Sequence, residues 1–276
     1  MKTLFASDLD GTLLNSKQEI TPFTASVIEE LVRRGGCFCY ATARSLITAR
    51  KATKNLDCPF PLILHNGVFI RDGGDGRYLL KKVFDKDSIL PLIEAIRNEG
   101  LYPIVYSIID GEEKFSYIYD KLTDEQKFFV STRGSDDPRI RKVTSYDELV
   151  EGDIFYLSYL DKKEKLAPLD SLCEGCGIHL LSHDTYDDYY WLEIMPEGAT
   201  KANAAKELAK MLGCGRIVAF GDGVNDLELF NAADECYATA NACEELKQKA
   251  NAVIGSNDAD GVAKWILQNV LTNSTN

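Results

Sequence analysis

Apolar residues in the first quarter of the chain fall into short runs separated by longer amphipathic stretches. Three runs are typical of buried strands, at residues 3–9, 37–41 and 62–64. Thr21 and Pro22 are typical of a helix N-terminus, and the apolar spacing that follows predicts a helix ending before Gly35. A second helix is predicted from Ser45. Strands that alternate with helices predict a parallel sheet with crossover helices.

The pattern changes after residue 67. A glycine-rich turn at residues 73–76 between two apolar runs predicts a hairpin. Beyond it, helices are predicted at residues 88–98 and 125–130, and strands at 102–109, 115–119, 154–160 and 178–182. This mixture indicates an α+β insertion. The alternation resumes with a strand at 189–194, a helix at 200–212, a strand at 216–220, and helices at 226–233 and 261–270.

Composition narrows the class of protein. The 276 residues are 45% hydrophobic and 27% charged, which is typical of a globular protein with an ample core. The formal net charge of −12 disfavours a nucleic-acid polymer or an anionic membrane as a partner. An anion can still bind where local cations, amides or a metal reverse the field. No apolar run approaches the ~20 residues that span a bilayer, and the N-terminus lacks a secretory signal pattern.

The eight cysteines are scattered along the chain. Cys173 and Cys176 have metal-like spacing, and His179 and His183 follow, so a zinc site is one interpretation. Reduced thiols in a cytoplasmic protein are the other, and we favour it because a closed zinc site usually has a second well-spaced pair.

Asp8 and Asp10 end the first predicted strand. Side chains two residues apart on a strand point the same way, and Gly11 allows the chain to turn sharply. Such a pair suits phosphoryl transfer, with Asp8 as the nucleophile and Asp10 as the acid/base. A surface turn is the alternative, because Asp-Gly is common in turns.

A second acidic loop, residues 221–226, also follows an apolar strand. Asp222 and Asp226 would meet the first pair, and four carboxylates in one pocket repel one another without a counter-ion. Hard oxygen ligands favour Mg²⁺. Helix capping by Asn225 or Asp226 is the alternative, and it is compatible with metal binding.

Two further segments suit an anion. Thr42 and Arg44 follow the second predicted strand, near a helix N-terminus where phosphate is favoured. Lys201 opens a later helix, so its ammonium could reach a phosphate as a point charge. Individually, both signals are weak.

In this order, the four segments resemble the haloacid dehalogenase superfamily. Residues 8–12 are similar to its first motif, Thr42 to its second, Lys201 to its third and residues 221–226 to its fourth. The insertion between the second and third motifs resembles the C2B cap of the Cof-type subgroup. The resemblance implies a Rossmann-like, three-layer parallel-sheet core with an inserted α+β cap. The expected boundaries are 1–82 and 189–276 for the core and 83–188 for the cap.

The resemblance also implies roles. Asp8 would attack phosphorus and bind Mg²⁺, Asp10 would offer its backbone carbonyl to the metal, and Asp222 and Asp226 would hold or orient it. Four residues would contact the phosphoryl group, namely Thr42, Arg44, Lys201 and Asn225. Ala43 and Ala202 stand where the family more often has glycine, so we expect an altered substrate fit.

The expected activity is the hydrolysis of a small phosphorylated metabolite. A sugar phosphate is favoured, followed by a ring-bearing phosphate such as a nucleotide, flavin mononucleotide or pyridoxal phosphate. Three alternatives stay open: a phosphomutase or phosphotransferase using the same site, a phospho-acceptor signalling domain, and a catalytically idle binding module. The second needs about half this length and no cap, and Asp10 favours turnover. Oligomeric state cannot be read from the sequence.

Overall fold

The computed structural model describes residues 1–56, 59–134, 136–183 and 188–272. The chain divides into two compact units. One consists of Met1–Lys81 together with Thr200–Asn276, and the other is Lys82–Ala199. The first unit is therefore built from both ends of the chain, and the second is a continuous insertion.

The elements up to the insertion are β1 (Thr3–Ser7), α1 (Pro22–Arg33), β2 (Cys37–Tyr40), α2 (Leu46–Ala52), β3 (Leu62–Leu64), β4 (Phe69–Arg71) and β5 (Tyr78–Lys81). The insertion contains α3 (Lys86–Asn98), β6 (Ile104–Ile109), β7 (Glu112–Tyr117), α4 (Asp124–Thr132), β8 (Ile140–Lys142), α5 (Tyr146–Leu149), β9 (Asp153–Asp161), α6 (Lys163–Leu166), α7 (Asp170–Cys173), β10 (Ile178–His183) and β11 (Tyr190–Met195). The last part contains α8 (Lys201–Met211), β12 (Arg216–Gly221), α9 (Leu227–Ala232), β13 (Glu235–Thr239), α10 (Glu244–Lys249), β14 (Ala252–Ile254) and α11 (Gly261–Ile266), which runs on into a wider helical turn.

Five strands of the first unit form a parallel sheet in the order β14-β13-β12-β1-β2. Alternate side chains of β1 point to opposite faces. Leu4 and Ala6 pack in a buried cluster with Leu208 of α8. Phe5 faces the other way and contacts Trp265 of α11, with ring centroids 6.5 Å apart. Helices therefore cover both faces, and the predicted three-layer parallel-sheet core is confirmed.

The start of α1 follows from its sequence. The Thr21 hydroxyl accepts a hydrogen bond from the backbone N–H of Thr24 at 3.0 Å, and Pro22 is the first helical residue. Proline suits this position because its missing N–H has no partner within a helix.

The third predicted strand does not join the parallel sheet as expected. β3 pairs antiparallel with β4, and β4 with β5, in a small separate sheet. A single parallel bridge between Ala41 and Ile63 links β3 to the end of β2. The predicted hairpin of β4 and β5 is confirmed, and β3 extends it instead of the core sheet.

The second unit contains a six-stranded mixed sheet in the order β10-β11-β9-β6-β7-β8. One face packs on α3 through a cluster that includes Ile93 and Leu157. The other face packs in a second apolar cluster, which contains Tyr117 of β7 and Phe129 of α4. Tyr117 is buried among these residues, and Tyr106 packs against them, so both aromatic side chains pack on the sheet.

The expected boundary at residue 189 places β11 in the core. In the structure, β11 instead pairs antiparallel with β9 and β10 in the second unit. Leu192 and Ile194 are buried in the same apolar cluster as Ile93 and Leu157. Burial of these two side chains favours pairing of β11 with the sheet of the second unit. The division therefore falls after Ala199. Within the described residues, no helix has both the length and the apolar character that crossing a membrane requires.

Candidate active site

Asp8 and Asp222 follow neighbouring strands of the parallel sheet. β1 ends at Ser7 and its partner β12 ends at Gly221. The N–H of Asp8 donates a hydrogen bond to the carbonyl of Phe220 at 2.9 Å, which extends the ladder by one residue. Because parallel strands end at the same edge of a sheet, the structure brings the two acidic loops together.

Lys201 joins these loops from the first turn of α8. Its Nζ lies 2.7 Å from Oδ1 of Asp8 and 2.7 Å from Oδ1 of Asp226. The side chain of Lys201 is 1% exposed and those of Asp8 and Asp226 are 8% and 0% exposed. A lysine is almost never buried this deeply unless it is paired, so its position reflects the two carboxylates.

Asp8, Asp222 and Asp226 each present a carboxylate oxygen within 4.8 Å of the others, in the one such cluster of potential metal ligands found among the described residues. Three carboxylates share a single ammonium, which leaves a deficit of positive charge. Carboxylate oxygens are the ligands that Mg²⁺ prefers. The residues present therefore fit this metal.

The pKa values of Asp8 and Asp222 are raised, in line with this deficit of positive charge. Burial raises the pKa of the Asp8 carboxyl well above its usual range; Lys201 opposes this shift, and Asp226 and Asp222 add to it. Burial also raises the pKa of Asp222 to about 7, with the charge of Asp226 adding to it and the hydrogen bond from Thr12 opposing it. Without a further cation, protons compete for these carboxylates near neutral pH.

Lys201 remains charged in these surroundings. Burial lowers the pKa of its ammonium, but the carboxylates of Asp226 and Asp8 outweigh burial and raise the pKa above its usual value. The lysine is therefore a fixed positive charge beside the predicted nucleophile.

Asp226 holds the second acidic loop together and also binds a cation. Oδ2 of Asp226 accepts hydrogen bonds from the N–H groups of Asp222 and Gly223 at 3.1 and 3.2 Å, while Oδ1 binds Lys201. The predicted capping of the following helix is therefore not borne out for Asp226: it directly precedes α9, but its side chain accepts no N–H of that helix. Asn225 lies half-buried in the same loop.

The turn after β1 packs tightly against Asp222. Thr12 Oγ1 donates a hydrogen bond to Oδ1 of Asp222 at 2.6 Å. Gly11 has a φ of +73°, and a Cβ placed there would lie 2.2 Å from Oδ2 of Asp222. Glycine is required here both for the left-handed backbone and for the space.

Asp10 is not one of the three clustered carboxylates, although its charge adds to the rise in the pKa of Asp222. Its carboxylate accepts two hydrogen bonds from Arg44, from Nε at 2.8 Å and from Nη2 at 2.6 Å. Arg44, expected to contact phosphate, is thus engaged with the predicted acid/base. No local pattern indicates this pair, because the two residues lie on different loops.

Thr42 is buried beyond the end of β2, and its Oγ1 accepts a hydrogen bond from the N–H of Arg44 at 3.1 Å. The loop after β3 approaches α8 closely, since a Cβ on Gly67 would lie 2.2 Å from the carbonyl oxygen of Thr200. Thr200 caps α8 by accepting the N–H of Asn203 at 3.1 Å. These contacts fix the turn that presents Lys201.

Two asparagines that no sequence pattern indicates hold the turn that follows β1. Asn241 Nδ2 donates to the carbonyl of Gly11 at 2.7 Å, and Asn257 Nδ2 donates to that of Leu14 at 2.9 Å. The N–H of Asn257 also donates to Oδ1 of Asn241 at 3.1 Å. No local pattern marks these residues, because they act more than 200 positions away from their partners.

The zinc interpretation is not supported in the part of the chain that the structure describes. Cys173 is fully buried on α7, and among the described residues no cluster of potential metal ligands includes Cys173, Cys176, His179 or His183. Asp184 and Tyr186 follow the predicted strand at residues 178–182 and are candidates for contacting a sugar or base, but they lie outside the described residues.

The chain is similar to known proteins over nearly its whole length. In sequence, the chain is 26% identical over 269 residues to the 5-amino-6-(5-phospho-D-ribitylamino)uracil phosphatase YitU of Bacillus subtilis, covering 95% of this chain and 96% of that protein. It is 28% identical over 279 residues to YwtE, a phosphatase of the same name and organism, with coverage of 95% and 96%. An X-ray structure from Thermotoga maritima is similar over 98% of both chains, with a TM-score of 0.76 and 27% identity.

The family model for haloacid dehalogenase-like hydrolases matches residues 5–266, nearly the whole chain. It spans both acidic loops, Lys201 and the insertion. The chain therefore belongs to the haloacid dehalogenase-like hydrolases, and the enzyme class supported by this family and its named relatives is a phosphatase.

Proposed function

We propose that this phosphatase hydrolyses a small phosphate monoester with Mg²⁺ as its cofactor, through an aspartyl-phosphate on Asp8. The observation that carries the proposal is the cluster of Asp8, Asp222 and Asp226, whose carboxylate oxygens lie within 4.8 Å of one another beside a buried ammonium. This arrangement offers a nucleophile, a cation site and a fixed positive charge at one edge of the sheet.

Asp8, Asp222 and Asp226 would hold the metal, with the backbone carbonyl of Asp10 as a further ligand. When bound, Mg²⁺ supplies positive charge that offsets the carboxylates and polarises the phosphoryl group. The hydrogen bond from Thr12 orients Asp222 for this role.

In the first step, a carboxylate oxygen of Asp8 forms a bond to phosphorus, and the bond from phosphorus to the leaving oxygen breaks. Asp10, in its protonated form, gives its proton to that oxygen. Lys201 holds Asp8 in place, while Thr42 and Asn225 would donate hydrogen bonds to the transferring phosphoryl group.

In the second step, the carboxylate of Asp10 takes a proton from water as the water oxygen attacks phosphorus. The bond between phosphorus and Asp8 breaks and releases inorganic phosphate. Asp8 is regenerated as a carboxylate and Asp10 is protonated again, so the cycle consumes one monoester and one water.

The substrate class that we favour is a phosphorylated sugar or sugar alcohol, followed by a ring-bearing phosphate. The two Bacillus subtilis relatives are named for a phosphorylated ribityl chain attached to a uracil ring, which combines both features. Their names support placing that compound in the first test set.

The test is phosphate release from a panel of sugar phosphates, nucleotides, flavin mononucleotide, pyridoxal phosphate and the ribitylaminouracil phosphate. We expect release in Mg²⁺ and none after chelation with EDTA. Release that persists in EDTA would contradict the cofactor assignment. Transfer of labelled phosphate to an added alcohol, in preference to water, would instead identify a phosphotransferase.

A further inference from the structure

The guanidinium of Arg44 forms a fork around the carboxylate of Asp10. Each oxygen of Asp10 accepts one N–H, at 2.6 and 2.8 Å, and the side chains of Arg44 and Asp10 are 20% and 27% exposed. Two parallel charge-assisted hydrogen bonds fix the orientation of a carboxylate as well as its position. A lysine could not reproduce this geometry.

The backbone of Arg44 is itself held on both sides. Its N–H donates to Oγ1 of Thr42 at 3.1 Å, and its carbonyl accepts the N–H of His65 at 3.1 Å. The base of the arginine side chain is therefore fixed to the loops that follow β2 and β3.

Gln18 holds the other end of Arg44. Its Oε1 accepts a hydrogen bond from Nη2 of Arg44 at 2.9 Å. Gln18 has a φ of +58°, which is uncommon for a residue other than glycine. Asn15 secures this turn, with Oδ1 accepting N–H groups from Lys17 and Glu19. Strain of this kind persists where surrounding contacts impose it, and it clusters at functional sites.

We propose that Arg44 and Gln18 are positioning residues, which aim the carboxyl group of Asp10 at the leaving oxygen of the substrate. The inference rests on the proposed function, in which Asp10 transfers the proton. Arg44 thus acts through Asp10 instead of binding the phosphate directly.

Leaving-group dependence tests this assignment. An alkyl phosphate needs a proton on its leaving oxygen, whereas p-nitrophenolate leaves readily without one. Arg44→Ala should therefore slow the first step, measured as single-turnover release of the leaving group with enzyme in excess, about 100-fold on the best alkyl phosphate of the panel and less than 10-fold on p-nitrophenyl phosphate, with KM changed little on either. The first step is measured by itself because Asp10 also takes the proton from water in the second step, which all substrates share. Asp10→Asn is the reference, and it should show the same selectivity.

Gln18→Gly separates positioning from folding. Glycine accepts the positive φ without strain, so the fold should not lose stability. We expect the single-turnover rate of the first step on the alkyl phosphate to fall a few-fold, with that on the nitrophenyl ester nearly unaffected. Arg50→Ala is the matched control, since Arg50 donates to the carbonyls of Gly73 and Gly74 away from the acidic loops.

Three results would overturn the inference. Arg44→Ala could raise KM equally for both substrates with kcat unchanged, which would make Arg44 a phosphate ligand. It could slow the first step equally for both, or have no effect on either. A wild-type enzyme that releases no phosphate from either substrate in Mg²⁺ would instead overturn the proposed function, and this inference with it.

Discussion

The ammonium of Lys201 lies 2.7 Å from Oδ1 of Asp226, and neither side chain is more than 1% exposed. The same carboxylate accepts two N–H groups of its own loop through its other oxygen, as described above. This pair therefore ties the start of α8 to the loop that carries Asp222. The charge balance of the site and the geometry of the loop at residues 221–226 therefore both depend on the contact between Lys201 and Asp226.

Replacing Lys201 by Met should destabilise the fold by about 3–5 kcal/mol, because it leaves Asp226 and Asp8 buried without their counter-charge. The measurement is the free energy of unfolding from urea titrations in EDTA. Lys206→Met changes an exposed lysine of the same helix and should have little effect. Equal stabilities of the two variants would contradict the role given to the buried pair.

Thr12→Val should weaken Mg²⁺ binding about 10–100-fold, because it removes the hydroxyl that orients Asp222 without changing the side-chain volume much. Titration calorimetry measures the dissociation constant. Thr24→Val is the matched control: Thr24 is also buried and donates to an aspartate, Asp260, which the site does not use. Mg²⁺ affinity that is unchanged in Thr12→Val would argue against Asp222 as a ligand.

Gly11→Ala should impair the enzyme through two effects: the strain of a positive φ and a collision of the new Cβ with Asp222. Gly11 and Gly35 both have a positive φ, but a Cβ on Gly35 meets nothing within 4 Å, whereas one on Gly11 would collide with Asp222. We expect about 1–2 kcal/mol of lost stability in Gly35→Ala with full activity. Gly11→Ala should lose at least as much stability and more than about tenfold in kcat. Matching activities of the two variants would show that the close approach to Asp222 does not matter.

Mg²⁺ affinity should rise with pH through neutrality. Asp222 has its pKa raised to about 7, and a carboxyl group must lose its proton before it can bind a metal. Lowering the pH from 8 to 6 should therefore raise the apparent dissociation constant about tenfold for this one group. Calorimetric titrations at the two pH values measure this dissociation constant. Equal affinities would show that Asp222 is already ionised at pH 6.

The sequence predicts the acidic edge of the sheet well, because the rule behind it is local. A buried strand followed by carboxylates identifies Asp8 and Asp222, and the shared direction of parallel strands brings their loops together. The same holds for the cap of α1 and for the β4–β5 hairpin, where turn and capping residues lie within a few positions of one another.

Partner choice between distant segments is what the sequence did not show. Arg44 and Asp10 are 34 positions apart on different loops, and Asn257 is 243 positions from Leu14. Composition gives no indication that these side chains meet. The contacts arise only after the sheet has set the spacing of its loops.

The edge strands were missed for a related reason. β13 (Glu235–Thr239) mixes polar and apolar residues, and β14 (Ala252–Ile254) has three residues, so neither has a clear period. β11 was found as a strand but given to the wrong sheet. Alternation along a strand shows which side chains are buried, and does not show the neighbour that buries them.

The most direct test of the account compares phosphate release by the wild-type enzyme and Asp8→Asn, on the best substrate of the panel, in Mg²⁺ and after chelation. Asp258→Asn, which alters an exposed carboxylate that binds Ser16, is the control and should behave like the wild type. We expect Asp8→Asn to lose more than about a thousandfold in kcat while still folding, and chelation to abolish wild-type release. Substantial Mg²⁺-dependent release by Asp8→Asn would contradict the assignment of Asp8 as the nucleophile.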